Sequence, residues 1–303
     1  MTGVSAEDSD DDYGGEGSEA GLRDALVYLL ALSRPRFWLY LAGPVMVGVV
    51  YAADARADLL TPATVALFAY FLLPANVYLY GVNDVFDAPI DEENPKKDER
   101  EVRYRGQRFV PIAVAVSGLG LLGVVALVDP IAWPWLAGFW LLATAYSAPP
   151  LRFKTTPLLD SLSNGLYVLP GAAAYATVAG SEPPLWPLLG GVLWTMAMHT
   201  FSAIPDIEPD RAAGIETTAT LLGEPRTLAY CFVVWTLAAA AFAVADLRAG
   251  AVLALYPVLV LGIALSKVPV DRAYWWYPAI NGLVGAGLTM WGLAQVVPPS
   301  SLF

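Results

Sequence analysis

The stretch NVYLYGVNDVFDAPID, residues Asn76 to Asp91, begins as the end of an apolar span and finishes as an acidic cluster. Asn83, Asp84, Asp87 and Asp91 give the spacing N-D-x-x-D-x-x-x-D. On a helix, Asp84, Asp87 and Asp91 fall at i, i+3 and i+7 and share one face. Asn76 and Asn83 are also seven apart, which carries the polar stripe back into the apolar span. Pro89 predicts a distorted turn beneath Asp91. Carboxylates at the end of a membrane helix are costly unless they hold something positive. Hard oxygen donors at this density suit Mg²⁺, which prefers to share its coordination with substrate phosphates. The plainer reading is a solvated acidic loop after a helix, and a second acidic cluster further along argues against it.

Working outward, the 303 residues are 57% hydrophobic and 15% charged, with mean hydropathy +0.54. Ordinary soluble domains carry far more charge, so the fold class is all-α, a polytopic bundle in the cell membrane. Cys231 is the single cysteine, which excludes a disulfide framework. The net charge of −11 argues against nucleic acid as a partner. Residues 1–20 hold seven acidic and no basic side chains and read as a disordered tail rather than a signal peptide. Residues 21–303 read as one transmembrane domain. Four lysines stand against thirteen arginines, and an acidic, lysine-poor exterior suits a host living in concentrated salt.

A span needs about 20 apolar residues. After an amphipathic stretch at 22–32, nine spans are expected, at 35–52, 62–82, 109–128, 131–147, 159–179, 185–204, 226–246, 249–266 and 274–297. With the N-terminus cytoplasmic, fifteen Lys and Arg fall inside, and Arg56 and Arg248 fall outside. Phe303 is then expected outside. The long loops 83–108, 148–158 and 205–225 all lie on the cytoplasmic side, where function is expected.

The second acidic group is IPDIEPDRAAGIETTATLLG, residues 204–223. Asp206 and Asp210 are four apart and are expected on one helical face, with Glu208 turned away. His199 and Ser202 extend that face into the sixth span. His199, the only histidine, is either a polar residue satisfied within the bundle or a group facing a cavity. Between the acidic groups lies YSAPPLRFKTTPLLDSLSN, residues 146–164. Pro149 and Pro150 end a span, and Arg152 and Lys154 then stand near Tyr146 and Ser147. Arg and Lys are the usual partners of phosphate oxygens, although both could be ordinary positive-inside residues. Asp160 and Asn164 follow, one of them placed to steer Lys154. Two carboxylate clusters and a basic pair at one face suggest metal ions gripping a diphosphate. Apolar, aromatic spans would hold its hydrophobic tail and face any allylic carbocation.

Together these residues resemble the UbiA family of intramembrane prenyltransferases, over nearly the whole chain after the tail. NDVFDAPID is similar to the first aspartate motif, DIEPDRAAG to the second, and YSAPPLRFK to the segment between them. The resemblance implies nine helices around a central cavity, capped by the 83–108 and 205–225 loops. It also implies Mg²⁺ between the motifs, held by Asn83, Asp84, Asp87, Asp206 and Asp210 with Asp91 in support. Arg152, Lys154 and Tyr146 would meet the diphosphate; apart from the resemblance, Asn76, Ser147, Asp160 and Asn164 are further candidates for substrate binding. One departure is Gly214, where many members carry a third Asp.

The continuation DEENPKKDEREVRYRG after Asp91, together with DSLSNGLYVLPG and FSAIPDIEPDRAAG, resembles the carotenoid branch of the family. That implies dimethylallyl diphosphate as donor and lycopene as acceptor, with water captured at C1 and His199 as the candidate that holds it. A glyceryl ether lipid precursor or a naphthoquinone precursor is the alternative acceptor. A non-enzymatic ion or solute carrier is the alternative from another class, against which stands the absence of a clear internal repeat. No obligate protein partner is implied.

Overall fold

The computed structural model describes residues 16–91, 102–266 and 268–298. Every regular element among them is helical. The main helices are α1 (Glu16–Leu32), α2 (Trp38–Ala52), α3 (Pro62–Leu72), α4 (Pro74–Asp91), α5 (Phe109–Val125) and α6 (Trp133–Ser147). They continue with α7 (Leu169–Ala179), α8 (Leu185–Ser202), α9 (Glu224–Ala245), α10 (Leu247–Leu253), α11 (Leu255–Leu265) and α12 (Tyr277–Val296). Helix α1 starts inside the stretch expected as a disordered tail; residues 1–15 lie outside the described residues.

Each of the nine apolar stretches carries helix, but not always one unbroken helix. Among the described residues, four runs are long and apolar enough to cross a membrane by themselves: 56–88, 185–212, 224–245 and 247–265. Proline accounts for the break in the first of these. Pro74 has no N–H to donate, so α3 stops at Leu72 and α4 starts anew. The Asn76 amide bridges the break, its Nδ2 donating to the Phe71 and Leu72 carbonyls at 3.0 Å each. The expected distortion at Pro89 is absent, because α4 runs through it to Asp91. So near a helix end the proline removes one ladder bond without redirecting the backbone.

Helix α5 states the solvent plainly. Val110, Val114, Gly118, Leu121 and Val124 are buried on one side. Ile112, Val116, Leu119 and Leu122 on the other are each nearly two-thirds exposed, at 63–64%. A helix apolar all round with such an outer face belongs in lipid.

The core divides into two clusters. One gathers residues between Tyr28 and Val178, with Phe71, Phe139, Leu67 and Leu136 fully buried. The other gathers residues between Leu193 and Leu288 around Phe201, Trp235, Tyr256 and Tyr277. The first aspartate motif stands on the first half and the second motif on the other. Asn281 of α12 crosses the seam, donating from Nδ2 to the Tyr40 hydroxyl of α2 at 2.9 Å and accepting from Tyr256 at 2.8 Å. Arg36 crosses it too, bonding the Trp275 carbonyl at 2.9 Å and covering its ring at 4.1 Å.

Candidate active site

The last two turns of α4 carry the first motif. Asp84 is buried, and its Oδ1 accepts from Arg34 Nη2 at 3.3 Å. The same guanidinium lies 4.5 Å above the Tyr80 ring, one turn back on α4. Asp87 accepts from Arg152 Nη2 on Oδ1 at 2.8 Å and from Lys154 Nζ on Oδ2. Asn83 Nδ2 donates to Ser147 Oγ at 3.0 Å, tying α4 to the end of α6. The chain leaves α6 through Pro149 and Pro150, and Arg152 then adopts φ 39°, in the left-handed region. Arg34 does the same at φ 51°. Such backbone is unfavourable for residues with a Cβ, and here it aims two guanidinium groups at the motif. Tyr28, on α1 outside the spans, is pushed up to about 12, first by burial and then by the Asp84 charge and Tyr104.

The second motif is divided between a tight turn and a short helix. Asp206 closes a tight turn over Ile204–Asp206 and immediately precedes the helix Ile207–Ala212, so only Asp210 lies within that helix. Glu208 does turn away, toward Arg211 at 3.1 Å, and Arg211 reaches the Thr220 carbonyl at 2.7 Å. Gly214, where a third Asp is expected, ends this segment at φ 69°, a conformation that favours glycine. Tyrosines span the gap between the motifs. Tyr274 lies within electrostatic reach of Asp206, Arg36 and Tyr167, and Tyr167 in turn lies beside Tyr80 and Arg34.

Asp160 does not steer Lys154. It is fully buried and accepts from the Thr218 backbone N–H at 2.9 Å and from the Thr218 hydroxyl. Its third neighbour is His199, with Nε2 4.0 Å from Oδ2. Asn164 Nδ2 donates to the Asp160 carbonyl at 2.6 Å and stands by Tyr146. Tyr146 meets the His199 ring edge-on at 6.0 Å and lies within reach of Asp87. So Asp84, Asp87, Asn83, Ser147, Arg152, Lys154, Tyr146, His199, Asp160 and Asn164 form one connected group. Asn76 stands apart from it, engaged with backbone at the α3–α4 break. Asp91 is placed only as the last residue of α4.

Sequence reasoning missed Arg34, Arg36, Tyr80, Tyr167 and Tyr274. The pair Arg34-Pro35-Arg36 immediately before a span was the available signal, counted only as topological charge. The tyrosines sit one or two turns before a motif or on a neighbouring helix, and only the fold brings them there.

Among the described residues, no three His, Cys, Asp or Glu side chains converge closely enough to hold a metal by themselves. The chemistry nonetheless fits Mg²⁺ held jointly with a diphosphate. The donors are carboxylate and amide oxygens, and Mg²⁺ completes its shell with phosphates and water. Arg152 Nε is buried with no hydrogen-bond partner, a donor that a phosphate oxygen would satisfy.

Residues 41–295 match the UbiA prenyltransferase family. A "Lycopene elongase/hydratase" of Haloferax volcanii is 63% identical over 98% of this chain and 99% of its own. Another of that name, from Halobacterium salinarum, is 64% identical over 89% of this chain and 98% of its own. A UbiA homolog from Archaeoglobus fulgidus bound to GPP and Mg²⁺ superposes with TM-score 0.75 at 19% identity, covering 89% of this chain and 99% of that one. With DMAPP and Mg²⁺ in place of GPP the TM-score is 0.72. The chain belongs to the UbiA prenyltransferase family.

Proposed function

We propose that this protein transfers C5 units from dimethylallyl diphosphate to the ends of lycopene and hydrates C1, as a step toward C50 carotenoids. The acceptor rests on one observation, near-full-length identity above 60% to two proteins named for elongating and hydrating lycopene. The donor rests on the Arg152–Lys154 pair at Asp87 and on the DMAPP complex of a structural relative.

Asn83, Asp84, Asp87, Asp206 and Asp210, with Asp91 in support, would hold Mg²⁺, which stabilises the negative charge of the departing diphosphate. Arg152 and Lys154 exchange Asp87 for phosphate oxygens, so the charge that develops on the leaving group meets cations already in position. The C1–O bond of the donor breaks, and the allylic cation is taken by C2 of the lycopene end. That leaves a tertiary cation at C1. Tyr80, Tyr167 and Tyr146 neighbour one another beside the first motif, and their rings would give the cation a wall that tolerates it. Water adds at C1 and loses a proton, giving the alcohol. The N-terminus is cytoplasmic in this reading and the site faces the cytoplasm.

Expressed in a lycopene-producing host, the chain should convert the C40 pigment into C45 and then C50 alcohols. In ¹⁸O-labelled water the new hydroxyls should carry the label. Unconverted lycopene in a host that makes dimethylallyl diphosphate would overturn the reading.

A further inference from the structure

Hydration requires a base, because water bound to a tertiary cation must lose a proton before the alcohol is complete. Loss of a neighbouring C–H proton, which gives an alkene, needs a base as well, so the product depends on whether the base holds a water or faces that C–H. The cation lies one carbon from the newly made bond, so the base must sit directly beside the diphosphate site. The aspartates there are poor candidates: Asp84 pairs with Arg34, and both Asp84 and Asp87 would be engaged with Mg²⁺ once the diphosphate is bound.

His199 occupies the required place. Tyr146, next in sequence to Ser147, which accepts from Asn83 of the first motif at 3.0 Å, meets its ring edge-on at 6.0 Å. His199 lies on α8, seven residues before Asp206, which sits in the turn beyond the end of that helix. Its side chain is 19% exposed, whereas Asp160 at its back is fully buried. Asp160 is anchored by both the backbone N–H and the hydroxyl of Thr218, so its direction is set. Its Oδ2 lies 4.0 Å from His199 Nε2. A buried carboxylate is costly without a positive partner, and an imidazolium formed at His199 would provide one. A carboxylate facing Nε2 favours the tautomer that carries its proton there, which leaves the lone pair on Nδ1. This is the logic of a carboxylate-oriented histidine base, in which such contacts tighten as charge develops.

We infer that His199 accepts, through Nδ1, the proton of the water that adds to the acceptor cation, and that Asp160 is the positioning residue that holds its ring. The inference rests on the lycopene reading above. Water oxygen bonds to C1, one O–H bond breaks, and the proton goes to the imidazole and then to solvent, with no oxidant or reductant needed.

The test uses membranes carrying the full chain, supplied with lycopene, dimethylallyl diphosphate and Mg²⁺. The readout is the ratio of hydroxylated to non-hydroxylated elongated pigment, which is independent of how much protein accumulates. His199→Gln should lower that ratio at least about tenfold, at the low end of what a general base contributes. His199→Ala should do the same, with imidazole restoring the hydroxylated share. A wild-type ratio in either variant overturns the inference and leaves the prenyl transfer intact. No elongated pigment from wild-type membranes would instead sink the lycopene reading itself.

Discussion

At the scale of single residues, the site is a set of cations committed to the first aspartate motif. Arg152 is the informative one, since it pairs with Asp87 at 2.8 Å while its Nε is buried without a partner. Losing a charge-assisted hydrogen bond costs about 1.5–3 kcal/mol. Arg152→Ala should therefore raise KM for dimethylallyl diphosphate roughly 10- to 100-fold. Arg152→Lys should recover only part of this, because an ammonium lacks the planar fork. Steady-state kinetics that match wild type in Arg152→Ala would reduce Arg152 to a topology signal. The motif residues themselves were legible because acidic side chains at the end of an apolar run are anomalous. Arg34 was not, since a cation before a span is ordinary on the cytoplasmic side, and only the fold brings it to Asp84. Asp160 was misread for the same kind of reason: its partner Thr218 is 58 residues away.

At the scale of elements, the site depends on how closely helices approach. Helices α2 and α7 cross with almost no space: a Cβ at Gly48 would overlap the Gly171 carbonyl oxygen, and one at Gly171 would sit 2.8 Å from the Pro44 carbonyl. Small residues at such crossings let backbones touch in membranes. Gly48→Ala should push α2 from α7, lowering stability by about 1–3 kcal/mol through overpacking. A thermal melt in detergent checks this, and an unchanged Tm would contradict the crossing. Tyr40 on α2 bonds Asn281, so the same variant should also loosen the seam between the two halves. Helix existence was readable from apolar length throughout, whereas helix breaks were not. Pro74 ends a helix and Pro89 does not, although both are prolines in one apolar-to-acidic run. The difference lies in position along the helix and in whether a side chain such as Asn76 takes up the freed carbonyls.

At the scale of the whole molecule, two half-bundles each carry an acidic motif beside a shared seam. The distribution of Lys and Arg predicts which side each connection faces, and accessibility labelling checks it. Leu60, 83% exposed, lies in a connection expected outside, and Glu208, with an 83% exposed side chain, in one expected inside. Cysteines at these two positions should react with an impermeant reagent from opposite faces, and Cys231, being buried, should add no background. Reaction of both from one face would overturn the topology. The all-helical, lipid-facing architecture follows from composition and apolar length, but the acceptor does not follow from fold, because one scaffold serves many acceptors. The most direct measurement supplies radiolabelled dimethylallyl diphosphate to the purified protein in liposomes, with lycopene, geranylgeranylglyceryl phosphate and a naphthoate offered in equal amounts. The account predicts label in C45 and C50 products of lycopene with Mg²⁺ present, and none with EDTA. Label in either other acceptor while lycopene stays at C40, or full transfer in EDTA, would contradict it.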